Sequence, residues 1–472
     1  MSTGIEKEAI FGVIPTLKKE KSYGFWSVFL ISSGYMIATW CYTQGAYMAQ
    51  ELSFRQLATS VFGPNLFIIT LVALSAIFAA RYGVDIWIWL RSIFGNIFCR
   101  IVCVVVLIMV LPWFAVCADT FAGSMINLFT LFGIYLPSIM RPILSLGCVL
   151  SGMALALGGP GVIKWSSIIM VSALLIVGII AVVIPFLSIP IMDILNYIPV
   201  NSSKDSYALA VEACAAFAIS PCLAIAVIPR LCKNERKGYW ATVASYGLVA
   251  PFFIFAGGVM TITMFLKTGT FSDDPTLILA TLSGPKAALL SLLLVAFANI
   301  GTAGSGTYIH SLLLKAAFPK VKFKWIALAL TIYMSILALW GGITEYFGAF
   351  ISYSAFLQAP IASMAIVDFF LIRKQKVSLR SLYAAHGKKI INPVGIICLI
   401  LGFFAGALIY NPYNGTILSP IFYLTTASGL SFFVGGLSYL AASRIPKVNR
   451  YLMKDSTSDI NSAKTEPMAP CL

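Results

Sequence analysis

The stretch FWSVFLISSGYMIATWCYTQGAYMA, residues 25–49, is long and apolar enough to cross a bilayer, yet its centre is polar and flexible. Serine and glycine occupy positions 32–34, and Thr39, Gln44 and Gly45 follow. Unpaired polar groups are costly in hydrocarbon, so a purely structural membrane helix has little use for such a centre. Partly unwound helices of this kind form the midplane binding sites of secondary transporters. The stretch therefore predicts one half of such a site.

The composition of the whole chain indicates an integral membrane protein. Of its 472 residues, 60% are hydrophobic and only 10% are charged, whereas soluble proteins carry roughly a quarter charged residues. The apolar runs are continuous, as helical spans require, and do not alternate as in β-barrels. The formal net charge of +15 is explained by basic loops on one side of a bilayer, so no nucleic-acid partner is expected.

The apolar runs predict about twelve membrane spans, so the fold class is an all-α polytopic membrane protein. We number them spans 1–12, with predicted ranges Phe25–Ala49, Leu57–Ala80, Ile101–Met125, Ile143–Leu157, Ile168–Leu187, Leu209–Val227, Ala241–Phe265, Ala288–Leu314, Trp325–Gly341, Phe347–Ile372, Val394–Ile409 and Ile421–Ala441.

The basic residues predict the orientation of these spans. Lys and Arg concentrate in the connections after even-numbered spans, and the opposite connections are nearly free of them. The positive-inside rule then places both termini in the cytoplasm, most simply at the plasma membrane. We expect a cytoplasmic segment at 1–24, a transporter domain at 25–443 and a cytoplasmic tail at 444–472. This tail is polar and without periodicity, and it is expected to be disordered beyond Ile445.

Span 6 mirrors span 1, because Ser220 and Pro221 interrupt it where a continuous helix would be expected. Interrupted spans at the first position of two five-span halves indicate inverted repeats with a binding site between them. The repeats would cover about 25–187 and 207–372, with two extra helices at about 394–443.

No motif of an enzyme is present. The sequence lacks P-loop, HExxH, GxSxG and GxGxxG patterns. The ten cysteines have neither CxxC nor Cys/His spacing, so they predict buried apolar residues and no cofactor or metal framework.

Several motifs occur in an order and spacing that extend from about Trp26 to Gly406. They are Glu51–Leu57 with Gly63, Tyr82–Gly95 (YGVDIWIWLRSIFG), Pro112–Phe114, Pro360–Arg373 (PIASMAIVDFFLIR) and Asn392 before a Gly-rich span. Together they resemble the nucleobase:cation symporter-1 family, which includes cytosine/purine permeases and hydantoin, thiamine and pyridoxine transporters. This resemblance implies a LeuT-type fold of two inverted five-helix repeats plus two extra helices.

Candidate substrate contacts follow from span 3 and span 6. Trp113 lies near mid-membrane by residue count, where Trp is unusual. The resemblance implies that Trp113 stacks on a planar heterocycle, and core packing is the alternative. It also places Phe217 within a residue of a second stacking aromatic. Cys117 stands where the family commonly has an amide, and a thiol is a poor substitute. In span 1, Trp40 and Gln44 are expected nearer the substrate.

A cation site is implied between spans 1 and 8. The resemblance matches Ala298 and Gly301 to backbone ligands of sodium and Thr302 to a hydroxyl ligand, with further carbonyls from Gly34 and Ile37. Carbonyls and a hydroxyl suit a hard cation. The alternative is a helix-packing face of small residues. Nearby, the candidates for polar substrate contacts are Asn299, Ser305 and Thr307.

Two carboxylates depart from the family pattern. Asp119 in span 3 and Glu212 in span 6 are intramembrane carboxylates, which are costly and therefore functional candidates. They would attract a cationic substrate or carry a coupling proton, unless both reach interfacial water.

The resulting hypothesis is a secondary active transporter that imports a small planar heterocycle such as a nucleobase. Its partners would be the substrate, a coupling Na⁺ or H⁺ and the lipid bilayer, and the oligomeric state is left open. The departures at Cys117, Asp119 and Glu212 give weight to a cationic, vitamin-like substrate of the thiamine or pyridoxine type. The same fold would also serve a receptor without turnover or a channel.

Overall fold

The computed structural model describes residues 15–37, 39–272, 274–377 and 391–453, which are mostly helical. Several predicted features lie outside these ranges: residues 1–14, the end of the tail from 454, and the loop residues Arg380, His386, Lys388 and Lys389. Within the described ranges, eight helical segments are long and apolar enough to cross a membrane on their own, and two shorter apolar helices, Phe25–Met36 and Pro393–Ala407, belong to spans 1 and 11.

Each of the twelve predicted spans corresponds to helical structure. Spans 1–6 are formed by Phe25–Met36 with Thr39–Ala49, Phe54–Val72 with Leu74–Tyr82, Asn96–Val110 with Pro112–Leu131, Met140–Leu157, Pro160–Ser188, and Lys204–Ile219. Spans 7–12 are formed by Glu235–Ala244 with Ala250–Thr268, Pro275–Ala317, Phe323–Trp340, Phe347–Ile366, Pro393–Ala407, and Ala427–Arg444. Span 7 contains a π-helical turn at Ser245–Val249, and span 10 ends in one at Val367–Ile372.

The connections contain short elements. These are the helices Ile86–Phe94, Ile191–Leu195 and Phe422–Thr425, single 3₁₀ turns at Lys18–Glu20 and Pro229–Leu231, and an antiparallel pair of two-residue strands, β1 (Tyr410–Asn411) and β2 (Thr416–Ile417).

Two of the family-like motifs have a local structural role at helix starts. Ser53 and Gln56 form a capping box at the beginning of span 2, so each side chain satisfies a backbone N–H that the helix leaves open. Asn392 caps span 11, where Pro393 occupies the first helical position and has no N–H to satisfy. These motifs therefore fix where the spans begin.

Spans 1 and 6 are both interrupted, as the sequence predicts. In span 1 the helix ends at Met36, Ile37 is extended, and a new helix begins at Thr39. In span 6 the helix ends at Ile219, and residues 220–228 form successive turns. Pro221 has no N–H to continue the helix, which explains the second interruption.

The second half of span 1, Thr39–Ala49, packs closely against span 7. A Cβ added to Gly45 would lie 1.8 Å from the carbonyl oxygen of Ile254, and one on Gly257 would lie 2.2 Å from that of Tyr42. Only glycine allows backbones to approach this closely, as is common where membrane helices associate. Span 1 is thus held inside the bundle, whereas peripheral spans expose large apolar side chains such as Trp165.

The residues before span 1 are attached to the ends of other spans on the same side of the bundle. Thr16 N donates to the carbonyl of Gly83 over 2.8 Å, and Tyr23 pairs with Cys232 in an isolated parallel bridge. The Lys21 ammonium donates to the carbonyl of Ala80. Burial lowers the pKa of this ammonium below its usual value. This segment therefore joins span 1 to span 2 and to the end of the span 6 interruption.

The C-terminal end of span 10 contains a buried ion pair. Arg373 Nε lies 2.8 Å from Asp368 Oδ2, and the Tyr439 hydroxyl donates to the other carboxylate oxygen over 3.3 Å. Residues 446–453 continue in helical conformation, and the buried Leu452 offers its carbonyl to Arg373. The expectation of disorder beyond Ile445 is wrong for these eight residues, because they pack against this pair.

Candidate functional site

An aromatic cluster lies at the level of the two interruptions. The rings of Trp113 and Phe217 have centroids 5.2 Å apart, and Phe347 lies 5.2 Å from Trp113. Trp40 completes the cluster. The centroid of its ring lies 4.0 Å from that of Phe347, and the two rings meet edge to face. Three of these side chains were predicted site residues from spans 1, 3 and 6. The structure brings them together and adds Phe347 of span 10.

A small cavity of about 20 Å³ adjoins this cluster. Such a volume holds about one water molecule, because the rings and neighbouring side chains fill most of the space. The predicted residues Trp113, Cys117 and Thr302 lie in its wall. The complete lining is Tyr35, Met36, Val110, Trp113, Phe114, Cys117, Ser220, Pro221 and Thr302.

At the interruption of span 6, two side chains from other spans donate hydrogen bonds to Ser220. Trp113 Nε1 donates to the Ser220 hydroxyl over 3.3 Å. Gln358 of span 10 donates from Nε2 to the Ser220 carbonyl over 2.6 Å, and Ser354 holds the same amide. The role of Gln358 was not predicted from the sequence, because a single Gln in an apolar span does not indicate which distant backbone group it will bind.

The interruption of span 1 meets span 8 through oxygen atoms. The Thr302 hydroxyl donates to the carbonyl of Ile37 over 3.0 Å, although 265 positions separate them. Ala298 and Gly301 lie on the same buried part of span 8. Gly34 lies one helical turn before Ile37, within reach of the same region. The structure thus brings one hydroxyl and one carbonyl together here, and oxygen atoms of this kind are the ligands that hard cations prefer.

The remaining polar candidates of spans 1 and 8 do not line the cavity. Thr307 donates its hydroxyl to the carbonyl of Ala303 in its own helix over 2.8 Å. Asn299 and Ser305 are fully buried elsewhere in span 8. Gln44 points towards span 6, where its amide approaches the Cys214 thiol at 3.9 Å. The predicted substrate contacts of these four residues are therefore not seen in this conformation.

Asp119 forms an ion pair with Arg141 and does not line the cavity. Its carboxylate accepts two hydrogen bonds from Arg141, at 2.7 and 2.8 Å, and one from the Thr344 hydroxyl at 3.1 Å. The guanidinium already supplies a positive charge to this carboxylate, and a role of Asp119 towards a cationic substrate stays a prediction.

Glu212 is likewise satisfied away from the cavity. It is fully buried and accepts hydrogen bonds from the backbone N–H of Ser428 at 3.0 Å and from the Ser428 hydroxyl at 2.6 Å. Ser428 lies in the first turn of span 12, where a helix favours negative charge. Glu212 therefore attaches span 6 to span 12, and the structure does not place it beside a substrate.

His310 has a structural environment. Its Nδ1 lies 2.8 Å from the carbonyl of Gly306, and its ring contacts those of Tyr35 and Phe114. Among the described residues, no group of three His, Cys, Asp or Glu side chains is arranged to hold a metal ion.

Solved transporter structures share this fold. Two of them are structures of Mhp1, a nucleobase-cation-symport-1 family transporter. The closed conformation with bromovinylhydantoin bound superposes with a TM-score of 0.73 at 18% identity, over 94% of this chain and 95% of that one. The inward-facing conformation gives 0.76 at 17% identity, over 96% and 97%.

A Na⁺-coupled sialic acid symporter in an outward-open state also matches, with a TM-score of 0.62 at 13% identity over 92% of this chain and 95% of that one. These likenesses confirm the predicted LeuT-type fold. No curated protein sequence matches the chain. Residues 14–435 match the model of a family described as permeases for cytosine/purines, uracil, thiamine and allantoin. The chain therefore belongs to this permease family, and it is an integral membrane transporter and not an enzyme.

Proposed function

We propose that this protein is a symporter that imports a small planar heterocycle by alternating access, with sodium as the coupling ion. The observation that carries the proposal is the aromatic cluster of Trp40, Trp113, Phe217 and Phe347 beside two interrupted spans. Flat π-faces suit a flat ring, and interrupted helices offer backbone groups for polar contacts.

The mechanism begins with the opening of the cluster. A heterocycle held between Trp113 and Phe217 needs about 7 Å between the two rings, twice a carbon contact distance of about 3.5 Å. The present separation of 5.2 Å is too short for that. We propose that substrate entry separates spans 3 and 6, and that the Ser220 hydroxyl then exchanges the indole N–H of Trp113 for a polar group of the substrate.

Sodium is favoured over protons by the donor set at span 1. Ile37 and Thr302 supply a carbonyl and a hydroxyl, and Gly34, Ala298 and Gly301 would supply further carbonyl oxygens. Sodium would bind these oxygens and hold spans 1 and 8 together while the substrate binds. The carboxylates that would otherwise carry a coupling proton, Asp119 and Glu212, are each held by partners.

The partners of the two carboxylates also favour a neutral substrate over a cationic vitamin. A positive ligand in a low-dielectric site needs an uncompensated negative charge. The carboxylate of span 3, Asp119, is paired with Arg141, and that of span 6, Glu212, is bound by Ser428 at the start of span 12 and does not line the cavity. The proposal places both termini in the cytoplasm and the protein in the plasma membrane, as the basic connections indicate.

Uptake into proteoliposomes tests the proposal. Labelled cytosine, adenine, uracil, allantoin, thiamine and pyridoxine are each offered under an inward Na⁺ gradient, an inward H⁺ gradient or neither. We expect accumulation of a neutral heterocycle under the Na⁺ gradient. If none of the six compounds accumulates under either gradient, the proposal is wrong. Binding of a compound without counterflow would indicate a receptor.

A further inference from the structure

The proposed cation site has a gap at Gly301. A Cβ on Gly301 would lie 1.6 Å from the sulfur of Met170 in span 5, so a side chain at this position would require the Met170 side chain to move. Met170 does not replace an oxygen ligand, because a soft thioether is a poor ligand for a hard cation. Span 8 therefore contributes one hydroxyl at this level, from Thr302.

A second hydroxyl lies one helical turn earlier on the same face of span 5. Ser167 is fully buried, and its Oγ has no hydrogen-bond partner among the described residues. A Cβ on Gly34 would lie 3.1 Å from Ser167 Cβ and 3.3 Å from its Oγ. The absence of a side chain at Gly34 thus lets this hydroxyl reach the backbone of span 1.

Ser167 differs from two other serines of span 5. Ser166, its neighbour, donates to the carbonyl of Ile163 over 3.0 Å, and Ser188 later in the same span donates to Ile184 over 2.7 Å. Such bonds to the preceding turn are the ordinary way to satisfy a serine in a helix. Ser167 makes no such bond and is fully buried. Other buried serines, among them Ser311, also lack a partner among the described residues, and Ser167 is distinguished by its contact with Gly34 of the proposed cation site.

Spans 1, 5 and 8 pack against one another, so Gly34, Ser167 and Gly301 belong to one junction. We propose that Ser167 is a ligand of the coupling sodium ion and supplies a side-chain oxygen from span 5, in addition to the hydroxyl of Thr302 from span 8. This inference rests on the proposed sodium coupling. It makes span 5 a direct participant, so that sodium binding holds three spans together instead of two.

Sodium titrations followed by thermal unfolding test this inference without any transport. The purified protein is titrated with NaCl at constant ionic strength, with choline chloride as the balancing salt. Ser167→Ala should weaken the apparent sodium affinity about tenfold. Ser167→Cys should do the same while keeping the volume, and so guards against a folding defect. The matched controls are Ser311→Ala, another fully buried serine whose hydroxyl has no partner among the residues described, and Ser166→Ala.

A rescue experiment assigns the effect to the missing oxygen. Met170→Ala with Gly301→Ser opens the space and restores a hydroxyl on span 8, so it should recover most of the affinity that Ser167→Ala removes. The inference is overturned if Ser167→Ala and Ser167→Cys titrate like the unaltered protein while Thr302→Ala is weakened. If sodium stabilises neither the unaltered protein nor any variant, the proposed sodium coupling itself fails, and the role of Ser167 fails with it.

Discussion

The interruptions of span 1 and span 6 are equivalent in position but are satisfied in different ways. In span 1, the carbonyl of Ile37 accepts a hydrogen bond from the Thr302 hydroxyl. In span 6, the carbonyl of Ser220 accepts one from the Gln358 amide. A hydroxyl is both donor and acceptor and can turn its oxygen to a cation, whereas an amide NH₂ only donates.

This difference indicates that the two interruptions have different functions. The span 1 interruption presents oxygen atoms that can turn towards an ion. The span 6 interruption has its free carbonyl fixed by Gln358 and keeps the Ser220 hydroxyl beside Trp113. We infer that the first interruption serves the coupling cation and the second serves the substrate.

The largest effect is expected at the span 6 side, from Trp113→Ala. Removal of the stacking face should reduce substrate uptake by up to about a hundredfold, because aromatic stacking contributes about 1–3 kcal/mol and each difference of about 1.4 kcal/mol is a factor of ten. Trp113→Phe should retain part of the uptake. Initial uptake rates into proteoliposomes measure this. Trp165→Ala, at an exposed position on span 5, is the control, and unchanged uptake in Trp113→Ala would indicate a packing role only.

The next effect is expected at the span 1 side, from Thr302→Ala. This change removes the side-chain oxygen of span 8 that meets the carbonyl of Ile37, so the sodium concentration for half-maximal uptake should rise about tenfold or more. Thr302→Ser keeps the hydroxyl and should stay close to the unaltered protein. Uptake that depends on pH but is unchanged by sodium and by this substitution would contradict the assignment of the span 1 interruption to a sodium ion.

A smaller effect is expected from Gln358→Leu, which leaves the Ser220 carbonyl without its donor. The free energy of unfolding should fall by about 1–3 kcal/mol, the cost of a buried unsatisfied acceptor, and thermal unfolding in detergent measures it. Gln44→Leu is the control, because its amide makes a long contact with the Cys214 thiol. Equal destabilisation of the two variants would mean that Gln358 has no special role at the interruption.

The smallest effect is expected away from both interruptions, from Asp119→Asn. The Arg141 side chain of this pair is 54% exposed, and a pair that water reaches contributes about 0–1 kcal/mol. Uptake of a neutral substrate should change less than about threefold, at every pH between about 5 and 8. The double variant with Arg141→Gln should behave in the same way. If Asp119→Asn alone abolishes uptake, the carboxylate of Asp119 has a direct role in transport.

The sequence was sufficient for the spans and for both interruptions. Apolar length alone locates a membrane helix, and Pro221 cannot donate the N–H that span 6 needs. The contact between Ile37 and Thr302 was predicted through family resemblance, since 265 positions separate the two residues and no local pattern joins them.

Partners that come from distant spans were beyond the sequence. Phe347 and Gln358 look like ordinary residues of an apolar helix until spans 3 and 6 are placed beside them. The partners of Asp119 and Glu212 were equally hidden, because an intramembrane carboxylate looks unpaired until the fold brings Arg141 or Ser428 to it. Thr307 satisfies itself within its own helix, which composition cannot distinguish from an exposed hydroxyl.

The closely packed aromatic cluster has a consequence for leakage. A carrier that cycles without cargo must still insulate the two sides of the membrane from each other. The cluster leaves a space of only about 20 Å³, which is too little for a continuous file of water molecules through which ions or protons would pass. In this conformation the rings therefore leave no room for a water file beside the cavity. The substrate has to separate the rings, so part of its binding energy is used for this opening and only the remainder appears as affinity.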